Sequence, residues 1–246
     1  MKIAQLILSV VLLLPLSAVG QTPGAETQAQ PVAKWLAGFS NLPKDMRAEY
    51  INLFRQAKHA YAIGDLAVCY GLLSQCEFIY NKNPHVWNLR AVCLIAQKRF
   101  EEAEIELNKA KEVLPHDETT LMNIANLHMG KGEFRQCIEI IHSILQTEQD
   151  SLSSTLSDIL TFRIYLCHLM LEERKEAKKL VSHLTPISDT PLYYFSQAAM
   201  HITRGNRTQA REDIYAAQTI FPARNASLPY IRAIQISGLE EKYLQK

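Results

Sequence analysis

The sequence predicts an all-α protein made of stacked helical hairpins. Three observations carry that expectation. Beyond residue 45, apolar residues recur at spacings of three and four, as on one face of a helix, and no sustained apolar–polar alternation marks a strand. The chain also resembles itself when shifted by 34 residues, with no gap over three units. Leu53, Trp87 and Leu121 superpose, as do Ala57, Ala91 and Ala125, then Leu66, Phe100 and Phe134, then Cys69, Ala103 and Cys137, then Leu73, Leu107 and Ile141. Finally, Gly132 and Gly205 fall where first helices would end, and Pro115 and Pro222 fall between units.

The bulk numbers agree with a packed core. Of 246 residues, 48% are hydrophobic, and Gly and Pro number only 9 and 10. Lys plus Arg total 26 against 25 for Asp plus Glu. A neutral chain without a basic block has no electrostatic footprint for nucleic acid.

Residues 1–20 read as a signal peptide. Met1-Lys2 give a positive start, Ile3 to Leu16 an apolar run, and Ala18-Val19-Gly20 a small-residue exit before Gln21. This predicts export to the periplasm or the outside, with no membrane span after cleavage. An uncleaved inner-membrane anchor is the alternative, for which the run is short. Residues 21–44 read as a polar tether followed by a short helix, where Val32, Trp35, Leu36 and Phe39 form an apolar stripe. That stripe is expected to dock on the solenoid, over the first unit or in its groove.

The hairpins occupy 45–246. Each unit brings two helices together near a small residue on each, such as Ala91 and Ala103, with Trp87 and Leu107 filling the space around them. A later unit carries Tyr194, Ala198, Gly205, Ala210, Ile214, Ala217 and Pro222. The unit before it is irregular. Tyr165 stands where a small residue is expected, and a longer connection predicts an extended turn within Gln149 to Asp158. The segment Leu228 to Leu244 reads as a terminal capping helix, broken at Gly238.

The 34-residue pattern resembles the tetratricopeptide repeat family, best in Trp87, Ala91, Phe100, Ala103, Leu107, Ala110 and Pro115. The resemblance covers roughly residues 50 to 222. It implies a right-handed superhelix, an α-solenoid of about five hairpins plus the capping helix. It also implies an inner groove lined by first helices. Carried over residue by residue, the groove positions are Phe54, Lys58 and Tyr61 in the first unit and Asn88, Val92 and Ile95 in the second. The third unit gives Met122, Asn126 and Met129, the fourth Phe162, Leu166 and Leu169, and the fifth Phe195 and Ile202. The carboxylate-clamp subfamily needs a Lys/Asn/Arg constellation here, and only Lys58 and Asn126 stand in comparable places.

No catalytic motif, metal site or cofactor loop is found, so no enzyme activity and no cofactor are expected. Gly130-Lys131-Gly132 reads as turn chemistry. His128, His168 and His201 share one place on three first helices, where packing is the simpler reading and metal binding the other. The acidic–basic runs at Glu101-Glu102 and Glu172 to Lys179 read as solvated faces. Five cysteines with no CxxC make neither a disulfide framework nor a zinc site. They read as small buried hydrophobes, a Cys76–Cys93 bridge between units being the one alternative. The functional expectation is a non-enzymatic, exported scaffold binding a protein or peptide segment in an apolar concave groove. A periplasmic or secretion-associated chaperone is the alternative.

Overall fold

The computed structural model describes residues 32–147 and 152–244. The signal segment, residues 21–31 of the tether and most of the connection after the third unit lie outside them. Among the described residues there are thirteen helices and no strand. They are α1 (Val32–Ser40), α2 (Lys44–Ile63), α3 (Leu66–Ile79), α4 (Pro84–Ala96), α5 (Phe100–Val113), α6 (Glu118–Lys131), α7 (Phe134–Thr147), α8 (Ser154–Met170), α9 (Arg174–Val181), α10 (Leu192–Thr203), α11 (Arg207–Ile220), α12 (Arg224–Ser237) and α13 (Leu239–Leu244).

Helices α2/α3, α4/α5, α6/α7, α8/α9 and α10/α11 pack as five consecutive hairpins. The small residues expected at the crossings, Ala57, Ala91, Ala103, Ala125, Ala177, Ala198 and Ala210, are all buried. Local chemistry starts the helices. Asp65, Asn83, Asp117, Ser153 and Asn206 each accept a backbone N–H of the turn they open. Ser153 therefore begins α8 inside the segment expected to be an extended turn, which leaves only residues 148–153 between α7 and α8. Asn206 is one such N-cap, its Oδ1 accepting the Gln209 N–H at 3.2 Å.

Every hairpin turns through one residue in the left-handed region, and the five stand at equivalent places: Gly64, Lys98, Gly132, Glu172 and Gly205. Glycine is the residue that adopts this backbone without a Cβ penalty. Lys98 and Glu172, at φ 59° and 63°, adopt it with one.

The irregular fourth unit has a packing reason. Its second helix, α9, is only 8 residues long, and α9 and α10 touch little. Tyr165 fills the resulting space, buried, and donates to the Ser196 carbonyl of α10 at 2.9 Å. The helix α1 docks beside the first hairpin. The Tyr80 hydroxyl donates to the Trp35 carbonyl at 2.6 Å, the Trp35 ring meets His85 edge-on, and Phe39 packs on Tyr50 and Tyr80.

Candidate functional site: the inner face and the helix lying on it

The first helices α2, α4, α6, α8 and α10 form one side of the stack. They pack directly at α4–α6 and α8–α10, whereas α6 and α8 meet only slightly. Helix α12 lies against both α6 and α8 and also touches α10. Helix α12 thus touches the last unit and also crosses the side formed by the first helices.

Its apolar face explains that course. Tyr230, Ala233, Ile234 and Ser237 follow the three-and-four spacing and are buried. Tyr230 stacks on Phe195, with ring centroids 4.8 Å apart and planes at 10°, and tilts against Phe162 at 5.1 Å. Ile236 packs on the clusters built around Leu94 and Leu127 and around Met129 and Ile164. Leu239, just past the left-handed Gly238, is fully buried. Burying a large apolar side chain stabilises by about 1.5–3 kcal/mol, so this seam supplies several.

Polar contacts then fix the register. Arg232 lies 3.7 Å from the Tyr61 ring centroid and donates to the Tyr61 carbonyl at 2.6 Å. Burial pushes the Tyr61 phenol up to about 12, against the opposing pull of Arg232. Lys98 pairs with Glu241 at 2.6 Å, and Glu172 with Lys242 at 3.1 Å. Lys242 also donates to the Met170 carbonyl at 2.8 Å. The two turn residues that tolerate left-handed strain are therefore the two whose side chains hold α13. Exposed pairs of this kind contribute about 0–1 kcal/mol each, so they align the helix and the apolar seam retains it.

The groove positions divide into two groups. Ile95, Met129, Phe162, Leu166, Leu169, Phe195 and Ile202 are buried, as are Asn88 and Asn126. Phe54, Lys58, Tyr61, Val92 and Met122 are half-buried, so the N-terminal part of this side reaches solvent. Lys58 lies over the Phe54 ring at 5.2 Å, and burial lowers its ammonium pKa.

The amides do internal work. Asn88 donates to Thr120 Oγ1 at 2.8 Å and accepts from Asn123 at 3.3 Å, while Thr120 Oγ1 donates to Asp117 at 2.7 Å. This network ties the second unit to the third. Asn126 accepts from Arg163 Nε at 2.8 Å, and Arg163 Nη1 donates to the Ile159 carbonyl at 3.2 Å. Arg163 is buried, and desolvation lowers its pKa.

The histidines do not converge. His128 pairs with Glu133 at 2.5 Å and His168 with Glu173 at 2.8 Å, each across its own hairpin turn, and His201 stands 3.7 Å from Asp213. Among the described residues no group of three His, Cys, Asp or Glu side chains could hold a metal. Glu172 and Glu173, read as part of a solvated run, are thus engaged by Lys242 and by His168 and Arg135. Of the two glycines read as turn chemistry, Gly132 makes the turn, whereas Gly130 lies inside α6 with the Phe100 ring where a Cβ would stand.

Sequence reasoning missed Thr120, Asn123, Arg163 and Arg232. Arg163 carried a signal, a lone charge within the apolar run of α8. Arg232 carried none, because its partner is 171 residues away.

Residues 72–159 match the family model of the coatomer epsilon subunit, a helical-repeat family similar to the tetratricopeptide kind. The match spans α3 through the start of α8, less than half of the chain. No curated protein matches the sequence. Among the described residues no helix is long and apolar enough to cross a membrane.

Proposed function

We propose that the protein is a non-enzymatic scaffold that binds another polypeptide along its inner face, with its own C-terminal helix as resident occupant of that face. The carrying observation is the seat of α12 itself, with Tyr230 stacked on Phe195 and Arg232 on Tyr61. A surface that accepts an amphipathic helix in cis offers the shape and chemistry to accept one in trans. The half-buried Phe54, Lys58, Val92 and Met122 are the entry points for a partner. The match of residues 72–159 to the coatomer epsilon subunit model, a helical-repeat family, is in keeping with a protein-binding role. The composition of residues 1–20 supports export to the periplasm or the outside.

Pull-down with the full chain tests the reading, alongside Met122→Glu and Tyr230→Ala variants. One stoichiometric partner is expected, lost with Met122→Glu and captured more strongly with Tyr230→Ala. Many weakly held unfolded clients would instead indicate a chaperone. No partner with either the wild type or Tyr230→Ala sinks the proposal.

A further inference from the structure

Four of the five cysteines meet in pairs, at equivalent joints of the solenoid. Cys69 on α3 and Cys93 on α4 are both fully buried, with their sulfurs 3.3 Å apart and the Cys93 thiol donating to Cys69. Cys137 on α7 and Cys167 on α8 are also fully buried, side by side in one core cluster, where the neighbouring Cys137 thiol and burial push the Cys167 thiol up. In the repeat register Cys69 superposes on Cys137, and Cys93 on Cys167. The two pairs therefore join the second helix of one unit to the first helix of the next, at the first and third joints. The second and fourth joints carry Ala103 with Leu127 and Ala177 with Met200 at the same places. No joint carries one cysteine of the pair without the other. Cys76, by contrast, faces the Tyr50 carbonyl at 3.9 Å. All five thiols are free and buried, as the main sequence reading expected, and the neighbour of Cys93 is Cys69, not the Cys76 of the alternative bridge.

We propose that Cys69–Cys93 and Cys137–Cys167 are two disulfide-forming sites that staple neighbouring units, with Cys76 left as a free thiol. A bond requires the sulfurs to close to about 2.05 Å, a small movement from 3.3 Å for side chains already in contact. The oxidant is a disulfide of low molecular weight or of a thiol oxidase, acting before the joint closes around the thiols. One cysteine thiolate attacks a donor sulfur and expels a donor thiolate. The second cysteine thiolate attacks the mixed disulfide and expels the other donor thiolate. Two cysteines lose two electrons and two protons, and one donor disulfide becomes two thiols.

Each pair lies at a joint between units. Solenoid stability is a sum of unit and joint contributions. The third joint is the one at which α6 and α8 meet only slightly. A bridge there removes freedom from the unfolded chain and holds the two halves of the stack in register.

Peptide mapping tests the proposal on the full chain. The protein is refolded from reductant into a glutathione redox buffer, checked for helical content, acid-quenched, alkylated and digested. It is compared with chain produced in an oxidising compartment. The expected result is two linked peptide pairs, Cys69 with Cys93 and Cys137 with Cys167, with alkylation confined to Cys76. Cys69→Ala should abolish the first link and leave the second, and dithiothreitol should lower the denaturant midpoint of the wild type. Five alkylated cysteines in helical, oxidant-treated chain, or any link to Cys76, overturns it.

Discussion

Tyr61 and Arg232 stand 171 residues apart in the chain, yet the guanidinium lies 3.7 Å from the phenol ring and donates to the Tyr61 carbonyl at 2.6 Å. The first hairpin is thereby tied to the penultimate helix. A stacked cation contributes about 0.5–2 kcal/mol, and a hydrogen bond from a charged donor about 1.5–3. Arg232→Ala is expected to cost about 2 kcal/mol in urea unfolding and to speed amide exchange in 224–244. Arg232→Lys should restore little, because an ammonium neither stacks as flatly nor forks as rigidly. Unchanged exchange in 224–244 would show that the apolar seam alone seats the helix.

Lys98 tests the link between turn strain and the C-terminal helix. Lys98→Gly relieves a left-handed backbone that is unfavourable for a side chain by about 1 kcal/mol. It also removes the exposed pair with Glu241, which contributes less than that. Global stability should therefore rise slightly while exchange at 239–244 quickens. A fall in both protection and stability contradicts this ordering of the two effects.

Arg163 and Asn126 should behave as one unit. Asn126→Ala leaves a buried guanidinium without its side-chain acceptor, at a cost of about 2 kcal/mol or more. The double variant Arg163→Met with Asn126→Leu removes both polar groups together and should recover most of that loss. Additive single and double effects in a denaturant series would exclude the coupling.

Asp213 should reveal itself through pH. Its Oδ2 is buried without a hydrogen bond, and burial raises its pKa above the usual aspartate value, with His201 opposing. A carboxyl raised on folding destabilises the folded chain where it is ionised, and the cost fades as pH falls through its folded pKa. Asp213→Asn is therefore expected to melt above the wild type at pH 7, by on the order of 1 kcal/mol. The difference should shrink as pH falls toward 4. Glu173 runs the opposite way. His168, then Arg135, lower its pKa, so its contribution is present above the ordinary carboxylate range and is lost as pH drops through the lowered value. An Asp213→Asn advantage that grows on acidification counts against this account.

Two glycine substitutions, two residues apart, separate backbone from packing. Gly132→Ala strains a left-handed turn at φ 81° with nothing near its Cβ, a loss of about 1 kcal/mol. Gly130→Ala gains helix propensity, but its Cβ would come within 2.7 Å of the Phe100 ring. In a Phe100→Leu background, Gly130→Ala should become stabilising while Gly132→Ala stays unfavourable. Thermal melts of the four combinations decide this.

The local pattern was readable because local physics sets it. The spacing of apolar residues, the Ala crossings, the five hairpins and the break at Gly238 all depend on residues within one or two turns or one repeat of each other. The inner face was legible only as a set of positions. Phe162, Leu166 and Phe195 carry no mark that says whether a foreign chain or the protein's own helix covers them. The amides Asn88 and Asn126 read as groove chemistry until Thr120, Asn123 and Arg163 are seen to consume them.

The sequence by itself determined an all-helical chain of five hairpins with their caps, turns and small-residue crossings, because a helix and its hairpin partner are specified by short-range periodicity. Only the tertiary structure decided that α12 crosses the inner face, that Cys69 meets Cys93, and that the strained Lys98 and Glu172 reach α13. Those contacts join residues far apart in the chain. They follow from how the units stack and where α6 and α8 part, which is a sum over all the joints and is written in no single repeat.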